Sequence, residues 1–230
     1  ESADEEKAVR VVVDAKVRAL LSLDAFPRRF VLMDEQTNYP SACNAAETLI
    51  VHEKLLSTVW PKVASALLAA NVQLLCDAPS LAAIPSSPLV SPSTDADYST
   101  EHLSLKIAVK TLPSLSAAIQ WINAHGSHHT DAIVTENDES ASIFVRGVDS
   151  SGTYVNASTR FADGFRYGFG TEVGIATGRI HARGPVGLEG LVTYKYMMKS
   201  EGPKGHVVGE FGSGGKTYKH TPIQASAVPF

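Results

Sequence analysis

Cysteine is scarce in this chain: Cys43 and Cys76 are the only two in 230 residues, which excludes a disulfide framework as the basis of the fold. Two thiols are the expectation. An excess of basic charge is also missing, since 20 Lys and Arg stand against 24 Asp and Glu for a formal charge of -4. That balance lacks the positive field by which proteins hold nucleic acid or anionic membranes. No stretch approaches the roughly 20 uninterrupted apolar residues that span a bilayer. The acidic start, Glu1 to Glu6, has neither the basic nor the apolar region of a secretory signal. A small molecule or another subunit is therefore the expected partner, in a cytoplasmic or organellar setting. The first residue is Glu1 and not Met, which reads as a processed chain or a segment of a longer one.

What is present is core-forming material. Hydrophobic residues make up 44% of the chain, enough for one large domain or two small ones. The apolar run at residues 7 to 17 fits either a strand or a helix, because periodicity cannot arbitrate at that length. Thr48 to His52 reads as a buried strand. From Ser57 to Asn71 the spacing of Val59, Val63, Ala66, Leu67 and Ala70 predicts a helix, with Pro61 near its start. The Pro- and Ser-rich stretch from Pro79 to Ser99 reads as a loop. Leu103 to Val109 reads as a strand, and Leu115, Ala118, Ile119 and Ile122 line a helix ending near Gly126. A strand at Asp131 to Thr135, a helix at Glu139 to Val145 and a strand at Thr153 to Asn156 follow. Strands alternating with helices in this way imply parallel pairing in an α/β layer structure. Val192 to Met198 and Tyr218 to Gln224 read as two further strands.

Cys43 lies on a turn just ahead of the Thr48 to His52 strand, a placement that exposes a side chain. A thiol becomes a nucleophile only as thiolate, which requires dipoles or positive charge to lower its reference pKa of about 8.5. Asn44 and the backbone amides after it are candidates for those dipoles. Taken alone, such a cysteine is more often a small core residue, and Cys76, inside the apolar run Val72 to Cys76, is read that way.

Three blocks change the weighing. Tyr39 to His52, Gly126 to Glu136, and Asn156 to Gly190 with Asn-Ala-Ser-Thr-Arg-Phe-Ala-Asp-Gly-Phe in it together resemble γ-glutamyl phosphate reductases, of the aldehyde dehydrogenase superfamily. The same module forms the second half of bifunctional pyrroline-5-carboxylate synthases. The resemblance, from about Asn38 to Gln224, implies an α/β, aldehyde dehydrogenase-like catalytic domain with a parallel-rich sheet and flanking helices at 38 to 177. It implies a closing helix and oligomerisation strands at 178 to 230, and at 1 to 37 a remnant of the connection to a nucleotide-binding domain that is largely missing. By the same resemblance Cys43 stands at the nucleophile position, Asn44, Asn156, Ser158, Thr159 and Arg160 contact the glutamyl part of γ-glutamyl phosphate, and Glu101 holds the nicotinamide ribose of NADPH. A solvated loop glutamate and a surface ion pair are the plain alternatives for Glu101 and Arg160. The implied reaction is NADPH-dependent reduction to L-glutamate 5-semialdehyde, in proline biosynthesis. A homo-oligomer built through the C-terminal strands and a fused or separate glutamate 5-kinase are the implied partners.

The chain departs from the family pattern in two ways. The cofactor domain and the asparagine that stabilises the oxyanion do not precede Cys43, so the isolated chain is expected to bind NADPH poorly. Val17 to Thr37 is extra sequence where the family passes almost directly from Lys16 to Asn38, either a genuine loop or a translated intron. A catalytically inactive oligomerisation or regulatory module is the alternative reading. His125, His128, His129 and Asp131 suggest a metal site, but their position after a helix end suits carbonyl capping better, and no metal is expected. The segment Gly209 to Thr217 resembles a phosphate-binding loop but misses its first glycine by one residue.

Overall fold

A computed structural model describes residues 3–16, 40–171, 173–174, 178, 183–184, 186–199, 204–205 and 207–220. The extra stretch at 17–37 and residues 221–224, the end of the last expected strand, lie outside them. Among the described residues, no helix is long and apolar enough to cross a membrane.

The ambiguous first run is a helix, α1 (Glu5–Lys16). Glu5 and Glu6 sit in its first turn and Lys16 in its last, matching the helix dipole at both ends. Ala8, Val9, Val12 and Val13 share one face at i, i+1, i+4 and i+5, and they pack into the main core.

Four strands form an all-parallel sheet in the order β1 (Thr48–His52), β4 (Lys106–Leu112), β2 (Gln73–Cys76) and β3 (Val90–Pro92). Helix α2 (Val59–Ala69) joins β1 to β2 and buries Val59, Trp60, Val63, Ala64 and Leu67. It ends on Asn71, which takes the left-handed conformation (φ 60°). Asn71 N donates to Leu68 O and Val72 N to Leu67 O, both at 3.0 Å, and this terminating motif turns the chain directly into β2. Val72, Leu74, Ile107 and Val109 complete the core with no exposed surface.

The stretch read as a loop from Pro79 to Ser99 is more ordered than that. It holds most of a short helix, α3 (Ala78–Ala82), then strand β3 and a 3-10 turn at Asp95–Ser99. Proline misled the reading: Pro79 sits in the first turn of α3, where no amide bond is lost, and Pro92 ends an edge strand. Asp77 organises this region. Its carboxylate accepts from Ser80 N (3.1 Å), Ser80 Oγ (2.6 Å), Thr111 N (2.7 Å) and Thr111 Oγ1 (2.9 Å), tying α3 to the end of β4. Burial opposes ionisation of Asp77, but these donors outweigh it and hold the carboxyl below the ordinary range. Asp77→Ala is expected to lower unfolding free energy by about 2–3 kcal/mol at neutral pH in urea titrations. Because the folded-state pKa is depressed, that contribution is full above the unfolded value of about 4 and disappears as pH falls through the folded one.

Helix α4 (Leu115–His125), capped by Ser114 Oγ on Ala117 N at 3.1 Å, leads to a two-stranded parallel sheet, β5 (Thr130–Ile133) with β6 (Gly152–Val155). Helix α5 (Asp138–Gly147) connects the pair, capped by Asn137. Ile122, Phe144 and Val148 form a second, smaller core there.

The chain divides into a large compact unit, residues 1–192, and a small one, residues 193–230. The strand expected at Val192 to Met198 does not form: the backbone is irregular, and Tyr194, Tyr196, Met197 and Met198 are 80% to 102% exposed. A strand requires a hydrogen-bonding neighbour, and this segment has none among the described residues. Tyr218 to His220 are likewise irregular. Lys216, the lysine of the loop resembling a phosphate cradle, pairs with Glu210 at 2.7 Å, and no helix opens at residues 217–220.

Candidate active site

Cys43 lies on the turn that runs from Pro40 into β1, and it is exposed just ahead of two buried residues. Asn44 is only 7% exposed and Ala45 only 8%, so the chain is gripped immediately after the exposed cysteine. Cys76 is the opposite case. It is 1% exposed in the core, and burial pushes its thiol up to about 11.

The grip on the turn comes from 116 residues downstream. Asn44 Oδ1 accepts from Arg160 NH1 at 3.0 Å, and Asn44 Nδ2 donates to Ala162 O at 3.1 Å and Arg160 O at 3.4 Å. Thr159 Oγ1 donates to Asn44 O at 2.7 Å. Every polar atom of the Asn44 side chain is thus bound to the short 3-10 turn Thr159–Phe161, which Ser158 caps by accepting from Arg160 N at 3.2 Å. Arg160 is 5% exposed, so a surface ion pair does not describe it. Burial pulls its pKa down, Asp14, Cys43 and Glu47 act in the other direction, and Arg166 reinforces the lowering. A guanidinium stays charged throughout the physiological range. A buried cation is thus bonded to the residue that follows Cys43, and positive charge near a thiol is the setting that favours a thiolate.

On the other side, Ala46 N donates to Ala15 O at 3.0 Å, docking the turn on the C-terminus of α1. Lys16 has no exposed surface, and its ammonium binds Glu47 Oε2 at 3.0 Å. The same oxygen accepts from His102 N at 3.3 Å, next to Glu101. Burial lowers the Lys16 pKa and Glu47 pulls it partly back; His102 is shifted the same way for the same two reasons. No local pattern points to Lys16, Glu47 or His102, since the ion pair joins residues 31 apart and each lies in an otherwise ordinary context.

A cavity of about 680 Å³ opens beside this arrangement, with Cys43, Asn44, Glu47, Glu101 and Thr159 among its lining. Glu101 is exposed there. Asn156, Ser158 and Arg160 are not lining residues. Asn156 exchanges two hydrogen bonds with the backbone of Thr135, both 2.9 Å, from a left-handed conformation (φ 54°). It fastens the ends of β5 and β6 together.

The histidines are individually engaged. His125 stacks on Trp121 at 4.4 Å, His128 Nδ1 meets Asp149 O at 2.8 Å, and His129 Nδ1 meets Thr130 Oγ1 at 2.9 Å. Arg183 binds Asp149 Oδ1 and His128 O, both at 3.1 Å, closing the large unit near the start of β5.

No family model matches the chain. Individual proteins do. It is 52% identical over 197 residues to a protein of Schizosaccharomyces pombe named Probable gamma-glutamyl phosphate reductase, covering 84% of this chain and 44% of that one. It is 44% identical over 220 residues to the Gamma-glutamyl phosphate reductase of Pelotomaculum thermopropionicum, covering 96% and 44%. The crystal structure of the reductase of that name from Thermotoga maritima superposes with a TM-score of 0.72 at 40% identity, covering 87% of this chain and 43% of that one. The chain belongs to the γ-glutamyl phosphate reductase family. It spans a little under half the length of the curated relatives it matches. A propionaldehyde dehydrogenase from Clostridium phytofermentans, in a mutant form, shares the fold at a TM-score of 0.51 and 11% identity, covering 81% of this chain and 46% of that one. The fold is aldehyde dehydrogenase-like, as expected from the three sequence blocks.

Proposed function

We propose that this chain carries the acyl-transfer centre of a γ-glutamyl phosphate reductase, acting in proline biosynthesis. The observation that carries the reading is an exposed cysteine at a cavity, presented by a turn whose next residue is locked to a buried arginine. The Cys43 sulfur attacks the acyl carbon of γ-glutamyl phosphate; the C–S bond forms, the C–O bond to phosphorus breaks, and inorganic phosphate leaves with the electron pair. A thioester on Cys43 remains. Arg160 favours the thiolate that begins the step, and Asn44 and Thr159 hold the turn in register with the cavity.

A nicotinamide cofactor, NADPH in this reading, supplies the hydride that leads to L-glutamate 5-semialdehyde. Glu101 fits the ribose: its carboxylate is exposed on the lining that also contains Cys43 and offers two acceptors to a pair of hydroxyl groups. The glutamyl part lies against Asn44 and Thr159, while Asn156, Ser158 and Arg160 shape that wall from behind. Assembly of copies through the C-terminal segment belongs to the same reading.

The test is intact-mass measurement of the chain after exposure to an acyl phosphate, either γ-glutamyl phosphate generated in place by a glutamate kinase or acetyl phosphate. A single acyl increment on Cys43, released by hydroxylamine, is expected. Acylation confined to other residues, or none, would return the chain to the alternative of an inactive module.

A further inference from the structure

Resting on the reading of Cys43 as nucleophile, we propose that the Lys16–Glu47 pair is a positioning device that registers the nucleophile turn against the segment carrying Glu101. One carboxylate joins three parts of the chain. Glu47 Oε2 holds the Lys16 ammonium at the end of α1 and the His102 amide ahead of β4, while Glu47 O accepts from Ala108 N at 3.0 Å inside the sheet. Glu47 follows Cys43 by four residues, and His102 is bonded to Glu101, so the pair spans the shortest covalent routes to both residues the chemistry uses.

Stability does not explain the arrangement. A fully buried ammonium is desolvated at high cost, and a buried ion pair gives no more stability than well-packed apolar side chains of similar size. The core beside it already packs Ala8, Val12, Val51 and Trp60 without charge. What an ion pair with a shared acceptor adds is direction, because the carboxylate must sit where both donors converge. Glu47 Oε1 is buried without a partner among the described residues and so places no competing constraint on that orientation.

The experiment is a comparison of Cys43 alkylation by iodoacetamide, followed by peptide mass, in wild type, Lys16→Met and the double variant Lys16→Met/Glu47→Leu, with melting temperature measured alongside. Lys16→Met is expected to lower the melting temperature and slow Cys43 alkylation near neutral pH about tenfold, equivalent to one unit in apparent thiol pKa. The double variant is expected to recover the melting temperature but not the rate. Lys16→Met/Glu47→Gln, which removes both charges and the Lys16 anchor, supplies the same comparison if the first double variant does not fold, and Lys16→Arg should retain most of the rate. A folded double or Gln variant reacting at the wild-type rate overturns the positioning role alone. A wild-type Cys43 that reacts no faster than an ordinary thiol overturns the nucleophile reading, and the positioning role with it.

Discussion

Cys43→Ala is expected to abolish the proposed acyl transfer, by about a thousandfold or more in rate, while leaving the melting temperature within a degree or two of wild type. The two halves of that expectation have separate causes. The side chain is exposed on a turn, and the backbone there is held by Asn44, Ala45 and Ala46, so truncating the sulfur removes little packing. The proposed chemistry, by contrast, cannot fall back on the other thiol: Cys76 is sealed in the core with its thiol pushed to about 11. Cys43→Ser should retain the fold equally well and recover almost none of the rate, because a hydroxyl is not ionised by a neighbouring cation near neutral pH. Intact mass after acyl phosphate treatment and a thermal melt on the same samples separate the two effects.

Trp60→Ala is expected to do the reverse. Trp60 is 1% exposed, the largest fully buried side chain among the described residues, and its indole Nε1 donates to Ser80 O at 2.8 Å. Truncation opens a cavity between α1, α2 and the four-stranded sheet and orphans a buried carbonyl. A loss of about 3–5 kcal/mol follows, measured by chemical denaturation. Ser80 belongs to the Asp77 network, so the damage should reach α3 and the end of β4 and exceed the loss from Asp77→Ala. Trp60→Phe fills most of the space and should recover most of the stability, leaving only the cost of the missing indole donor.

The alternation of β1, α2, β4, α4, β5, α5 and β6 was legible in the sequence to within a few residues, because each element buries one face and its periodicity survives. Two kinds of feature were not. Short elements defined by tertiary pairing, such as the three-residue β3 ending in Pro92, carry too little pattern of their own and look like loop. The Val192 to Met198 strand failed for the converse reason, since its pattern suits a sheet but a strand forms only where a neighbour supplies hydrogen bonds. At the site, the exposed turn carrying Cys43 was readable from its own block, but the contact that holds Asn44 joins residues 116 apart, and the Lys16–Glu47 pair bridges 31. Asn156 illustrates the limit from the other side: its amide is bonded to the Thr135 backbone, tying the ends of β5 and β6 together, which no local pattern announces.

The claim on which the rest depends is that the Cys43 sulfur is presented as a reachable thiolate beside a buried guanidinium. The pH dependence of iodoacetamide labelling at Cys43 and Cys76, resolved by peptide mass in the native chain, measures this directly. The account expects Cys43 to label rapidly with an apparent pKa below the ordinary thiol value of about 8.5, while Cys76 stays unlabelled until the chain unfolds. Equal labelling of the two, or a Cys43 profile at or above the ordinary value, would contradict it.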